Sequence, residues 1–200
     1  MPKLVLASTN RGKLQELHAL LQAVDIELVT PFELGLSLEI KEEGRSYADN
    51  AAHKARAFAH ATGLLALGDD SGLEVEALNG APGLYSARFV PKVSATDADR
   101  RAYLLKQLHR YPRPWHARFR CSVALATPSG KIRFAEGECA GEIILEERGE
   151  NGFGYDPIFL IPELGQTMAE LSIEAKNHLS HRARAIKAAL PLLQDLIAEM

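Results

Sequence analysis

Residues 117–138 read ARFRCSVALATPSGKIRFAEGE, and along them apolar side chains recur at every second position. Phe119, Cys121, Val123 and Leu125 share one side, the alternation of a half-buried strand. TPSG (127–130) is a turn, KIRFAEGE (131–138) a second strand and GEIILEE (141–147) a third, so the middle of the chain predicts an antiparallel meander. Outside this stretch the period lengthens to that of a helix. Thr96 caps a helix through DADRRAYLLKQLHRY, with acids in its first turn and Pro112 as its end. SYADNAAHKARAFAHATG (46–63) reads as an Ala-rich helix with Ser46 as N-cap, Asp49 three residues on and Gly63 as the stop. LLALG (64–68) and LEVEA (73–77) predict strands flanking a turn that carries Asp69 and Asp70.

The ends follow the same logic. KLVLAS (3–8) is a short buried strand, leading through TNRGK into a helix with Leu14, Leu17, Leu20, Leu21 and Val24 at helical spacing. A second strand covers Glu27 to Thr30. PIFLI (157–161) is a strand between prolines. TMAELSIEAK (167–176) predicts a helix whose Thr167 and Glu170 are spaced for a capping box. A last helix starts near Ser180, and Pro191 is expected to kink or restart it. Strands mixed with helices, without repeats or polar linkers, give one α/β unit with a mixed β-sheet and flanking helices.

Composition narrows the function classes. The chain has 200 residues, 46% hydrophobic and 24% charged, enough for one sizeable core or two joined lobes. A formal net charge of −3 argues against a general nucleic-acid binder. No stretch approaches the roughly 20 apolar residues of a membrane span, and MPKLVLASTN lacks a signal-peptide core. Cys121 and Cys139 are the only cysteines, without a CxxC pair, which predicts reduced thiols in a cytoplasmic protein.

Several segments gather groups that bind anions or metals. STNRGK (8–13) opens a helix, where exposed N–H groups and the helix dipole attract anions. Lys13 there meets an unfavourable dipole unless an anion stands between them; a solvated lysine behind an Asn10 N-cap is the plainer alternative. The GxxxxGK[ST] phosphate loop is absent. KNHLSHRARA (176–185) sets Lys176, His181, Arg182 and Arg184 around the start of the last helix, as a basic site or as solvated surface. In FGYD, Phe153 or Tyr155 could stack on a base or fill core, Gly154 permits close approach and Asp156 could accept from a ring N–H. Glu42, Glu43, Asp69 and Asp70 supply the hard oxygens that Mg²⁺ prefers, or they are surface acids held by turn N–H groups. No Cys/His spacing suggests zinc, and GxSxG is absent.

Five blocks in order, LVLASTNRGKLQEL (4–17), EEGRSYADNAAHKA (42–55), LGDDSGLEVEALNGAPGLYSAR (67–88), GFGYDPIF (152–159) and EAKNHLSHRARA (174–185), make nearly the whole chain resemble the Ham1/RdgB-type inosine triphosphate pyrophosphatases. The resemblance implies that Ser8, Thr9, Asn10, Arg11, Gly12 and Lys13 grip the nucleotide's phosphates. It makes Asp70 the proton acceptor and a metal ligand, with Asp69 supporting the acidic site and Ser71 contacting substrate. Spacing to Gly44 favours Glu42 over Glu43 as the other metal-associated acid. Lys54 resembles a phosphate contact supported by Asn50. Phe153, Gly154, Tyr155 and Asp156 resemble the base-binding segment, with Phe153 stacking, while Lys176, His181 and Arg182 resemble residues closing around base and phosphates.

The family implies Mg²⁺-dependent hydrolysis of ITP, dITP and XTP to monophosphate and pyrophosphate. It further implies a homodimer and one domain, residues 1–200, with an elongated mixed sheet in two lobes around a central cleft. Selectivity is expected at the purine 6-position, where a keto oxygen could accept from Arg182 or backbone N–H. Ser8-Thr9 stands where many members read Thr-Gly. Maf-type pyrophosphatases of other base preference share the shape, but the FGYD and SHR blocks favour the first family. A nucleotide sensor without turnover is disfavoured by the complete acid set.

Overall fold

The structure is a computed structural model and describes residues 1–199. Twelve regular elements appear among them: β1 (Lys3–Leu6), α1 (Arg11–Leu21), β2 (Glu27–Val29), α2 (Tyr47–Thr62), β3 (Leu65–Val75), α3 (Asp97–Leu108), β4 (Trp115–Ala126), β5 (Ile132–Ile143), β6 (Phe159–Ile161), β7 (Gln166–Thr167), α4 (Ile173–Leu179) and α5 (His181–Ala198). The strands form one mixed seven-stranded sheet in the order β2-β1-β3-β4-β5-β6-β7. β1 runs parallel to both β2 and β3, whereas β6 is antiparallel to β5 and β7. The α/β class is therefore present, and the two strands expected within 117–138 are sheet neighbours, β4 and β5.

The chain divides into two compact units. The first takes residues 1–71, 121–137 and the chain from 181 onward. On one face of its strands, Leu65, Leu67, Cys121, Val123 and Leu125 pack with Leu17 of α1 and Ile186 and Ala189 of α5. On the other, Ala66, Ala124 and Ala126 meet Ala51, Ala55 and Phe58 of α2. The second unit takes residues 72–120 and 138–180, with a core around Leu73, Leu104, Leu108, Trp115, Phe119, Ile158 and Phe159. β4 records this difference. From Trp115 to Arg120 buried and less buried residues alternate as expected, but from Cys121 to Ala126 every residue is buried, because helices cover both faces there.

Local signals explain the helix ends. Ser46 accepts from the Asp49 N–H at 3.1 Å and Gly63 closes α2 at φ 67°; Thr96 and Asp99 form a capping box on α3. Three expectations are corrected, and of the two offered for Pro191 the restart does not occur. The Asp69-Asp70 turn does not exist: LLALG and LEVEA belong to one continuous strand, β3, and basic side chains from three helices compensate the acids. KIRFAEGE and the start of GEIILEE are likewise one strand, β5. Its mid-strand glycines make room rather than turns. A Cβ on Gly137 would lie 2.3 Å from the His181 carbonyl oxygen, and one on Gly141 2.4 Å from that of Leu160. The Thr167–Glu170 box opens no helix, since the Thr167 hydroxyl donates to Arg148 O at 2.7 Å and α4 begins at Ile173 behind an N-cap at Ser172. Pro191 lies inside α5 without restarting it.

Gly68 sets the separation of α2 from β3. A Cβ there would lie 2.4 Å from Ala51 O and 2.8 Å from Ala55 N, both backbone atoms. Gly68→Ala is expected to cost about 1–3 kcal/mol through overpacking. Thermal denaturation checks this, and a wild-type midpoint would mean that α2 yields without cost.

Candidate active site

Successive side chains of a strand point to opposite faces. Asp69 and Asp70, adjacent on β3, are thereby drawn into different surroundings, and both are buried. Asp69 lies with Leu65 and Leu67 on the face covered by α1 and α5. The Lys13 ammonium stands 3.0 Å from its Oδ2, and Arg182 Nε donates to the same oxygen at 3.2 Å. Burial favours the neutral acid, but Lys13, Arg182 and Lys54 outweigh it and hold the carboxyl well below the usual aspartate range. Its Oδ1 is buried without a hydrogen-bond partner among the described residues. Arg182 also donates through Nη1 to Glu16 of α1 and through Nη2 to Ser71 Oγ at 3.0 Å. A base oxygen reaching this guanidinium would compete with those acceptors.

Asp70 meets α2 instead. Asn50 Nδ2 donates to Asp70 Oδ2 at 2.8 Å, while Asn50 Oδ1 accepts the Gly44 N–H at 2.8 Å. One side chain thus ties the loop carrying Glu42 to the acid. Gly44 is required for this approach, because a Cβ would lie 2.6 Å from Asn50 Oδ1. The Lys54 ammonium lies 2.7 Å from Glu42 Oε1 and 3.6 Å from Asp70 Oδ1. Burial raises the pKa of Asp70; Lys54, Lys13 and Asn50 pull it back only in part, and Glu42 adds to the rise. Glu43 is exposed.

The 8–13 segment opens α1. Asn10 is the N-cap, its Oδ1 accepting from Lys13 N at 3.1 Å, and Ser8 Oγ accepts from Asn10 N at 3.2 Å. Thr9, Asn10 and Arg11 are exposed, and Ser8, Gly12 and Lys13 partly so. The partner that offsets the dipole penalty on Lys13 is Asp69.

Among the described residues no three His, Cys, Asp or Glu gather around one point. Glu42 and Asp70 do converge on a single cation, the Lys54 ammonium. Two carboxylates with open coordination left for water and phosphate suit Mg²⁺, which rarely takes an all-protein cage. The donor set fits that ion.

In the second unit FGYD forms a separate cluster. Asp156 Oδ2 accepts from Phe153 N at 3.0 Å and from Lys176 Nζ at 2.7 Å. The same ammonium lies 5.3 Å from the Phe153 ring centroid, and that ring is half-buried. Tyr155 fills core, with its hydroxyl donating to Ser86 O at 2.9 Å. Of the basic residues expected together, Lys176 joins the FGYD cluster, Arg182 joins Asp69, and His181 is buried at the first turn of α5.

Sequence reasoning missed three residues. Glu16 gave one signal, an acid one turn beyond Lys13 on the same helix face. Asp97 and Arg101, which grip Gly154, gave none beyond their helical spacing.

Comparison places these findings among known proteins. A family model described as the Ham1 family matches residues 4–192. The chain is 50% identical over 195 residues to a dITP/XTP pyrophosphatase of Desulforamulus reducens, covering 97% of this chain and 96% of the relative. It is 45% identical over 196 residues to one of Geobacter sulfurreducens, covering 98% and 96%. The solved structure of a HAM1 protein from Coxiella burnetii superposes with a TM-score of 0.87 at 40% identity, covering 98% of this chain and all of that one.

Proposed function

The chain belongs to the Ham1 family, and from that premise we propose that it hydrolyses ITP, dITP and XTP to the nucleoside monophosphate and pyrophosphate. The observation carrying this reading is the convergence of Glu42 and Asp70 on one cationic position, with Asp70 poised as a base. The relatives named dITP/XTP pyrophosphatase support the substrate class.

In this mechanism Asp70 orients the attacking water and takes its proton as oxygen closes on the α-phosphorus. Pyrophosphate leaves. Lys13, Lys54 and the first N–H groups of α1 bind phosphate oxygens and draw off the charge that moves onto them. Glu42 and Asp70 would hold Mg²⁺, which supplies charge neutralisation of the triphosphate. Asp69 keeps Lys13 and Arg182 in place and remains ionised. Phe153 offers a stacking face to the purine, backed by Lys176 and Asp156.

A homodimer, as the family resemblance implies, and cytoplasmic residence belong to the same proposal, as does the absence of nucleic-acid and membrane partners. Two buried cysteines outside any disulfide suit a reducing compartment, and no described helix is long and apolar enough to cross a membrane. The test is pyrophosphate release across a nucleotide panel, with Mg²⁺ and with chelator. ITP, dITP and XTP should lead ATP and GTP, and chelation should stop turnover. Orthophosphate as product, or preference for another base, would overturn the reading.

A further inference from the structure

Gly154 sits at φ +63°, and both polar groups of its backbone are taken by one helix. Asp97 Oδ2 accepts its N–H at 2.7 Å, and Arg101 Nη1 donates to its carbonyl at 2.9 Å. The two side chains are four residues apart on α3 and so share a face. Arg101 is steadied in turn by Glu147, whose Oε2 accepts from Nη2 at 2.7 Å. Phe153 is held as completely: its N–H donates to Asp156 Oδ2, and its carbonyl accepts the Asp156 N–H at 3.2 Å. All four backbone polar groups of Phe153 and Gly154 are therefore engaged, three of them through charged side chains. Charge-assisted hydrogen bonds of this kind are strong and directional. They leave the half-buried Phe153 ring on a backbone with no freedom to reorient.

We propose that Asp97 and Arg101 are positioning residues for base recognition, clamping the Gly154 peptide so that Phe153 is a preformed platform for a flat purine. This rests on the nucleotide-hydrolase reading above and adds to it the two α3 residues that set affinity for the base. A platform ordered before binding spares the ligand the cost of ordering it, so the clamp acts on substrates that carry a base and not on a bare polyphosphate.

The test is steady-state kinetics of wild type, Asp97→Ala, Asp97→Asn and Arg101→Lys on the purine triphosphate that wild type turns over fastest, with inorganic tripolyphosphate as competitor. Asp97→Ala should raise KM about tenfold, the scale of one lost base stack, with kcat within about twofold. The tripolyphosphate inhibition constant should not move. Asp97→Asn keeps an acceptor for the Gly154 N–H and should recover most of the affinity. Arg101→Lys, a milder change, should raise KM alone and carries the test if Asp97→Ala does not fold. An unchanged KM, or KM and the tripolyphosphate constant rising together, would overturn the proposal. Wild-type turnover reports on the function and variant-to-wild-type ratios on the clamp. Were wild type inactive, calorimetric binding of ITP against tripolyphosphate would give the same comparison.

Discussion

Replacing Asp70 by asparagine is expected to leave the protein folded while cutting pyrophosphate release by about 10²- to 10⁴-fold, the range contributed by a positioned general base. The substitution preserves shape and keeps an oxygen to accept from Asn50 Nδ2. It removes a charge that the fold holds at a cost. Because burial raises the pKa of Asp70 above its unfolded value, its contribution favours the folded state most when protonated and declines as pH rises through the folded pKa. At neutral pH the neutral amide should therefore hold or raise the thermal midpoint even as turnover collapses, a trade of stability against activity common at reaction centres. Melting curves beside kcat on ITP check it. Near-native turnover would remove Asp70 from the chemistry, and a large fall in the midpoint would make it a structural acid.

Arg182→Met should have the opposite character. The guanidinium, 1% exposed, joins Glu16 to Asp69, and its loss takes from the interior a cation that both buried carboxylates share. Removing one partner of a buried ionic network costs about 3–5 kcal/mol, a fall in midpoint of roughly 10 °C for a chain of this size. The deficit should depend on pH. Asp69 in the wild type has a folded pKa below its unfolded one, so its contribution is fully present above about pH 4 and lost as pH falls further. In the variant the two buried acids, short of that cation, gain by protonation, and the gap to wild type should narrow on acidification. Glu16→Met combined with Arg182→Met should recover part of the loss, as coupled neighbours do. Urea denaturation at neutral pH and near pH 4 measures all three, and equal midpoints for wild type and Arg182→Met would dismiss the network.

The features readable in advance were local ones. The strand through Phe119 to Leu125, the caps at Ser46 and Thr96 and the stop at Gly63 each follow from a few adjacent residues, though not the burial of both faces of that strand beyond Cys121. Failures came where distant chain overrides local chemistry. Asp-Asp-Ser-Gly has the composition of a turn, yet Lys13, Lys54 and Arg182 make the acids tolerable within a strand. Gly137 and Gly141 look like punctuation and instead give room to α5 and to the 159–160 segment. Of the candidate site, the motif residues could be picked out but not their pairing. Glu16 meets Arg182 across 166 residues, and Asp97 meets Gly154 across 57. No spacing rule spans such separations.

Acids carried by an interior strand share the fate of the whole sheet. Groups on a loop can be lost to local opening while the rest of a molecule endures; here Asp69 and Asp70 stay covered unless the helices packed on β3, α1 and α5 on one face or α2 on the other, lift from it. Inactivation and denaturation thus become a single event, and heat or age should leave no population that is intact but idle.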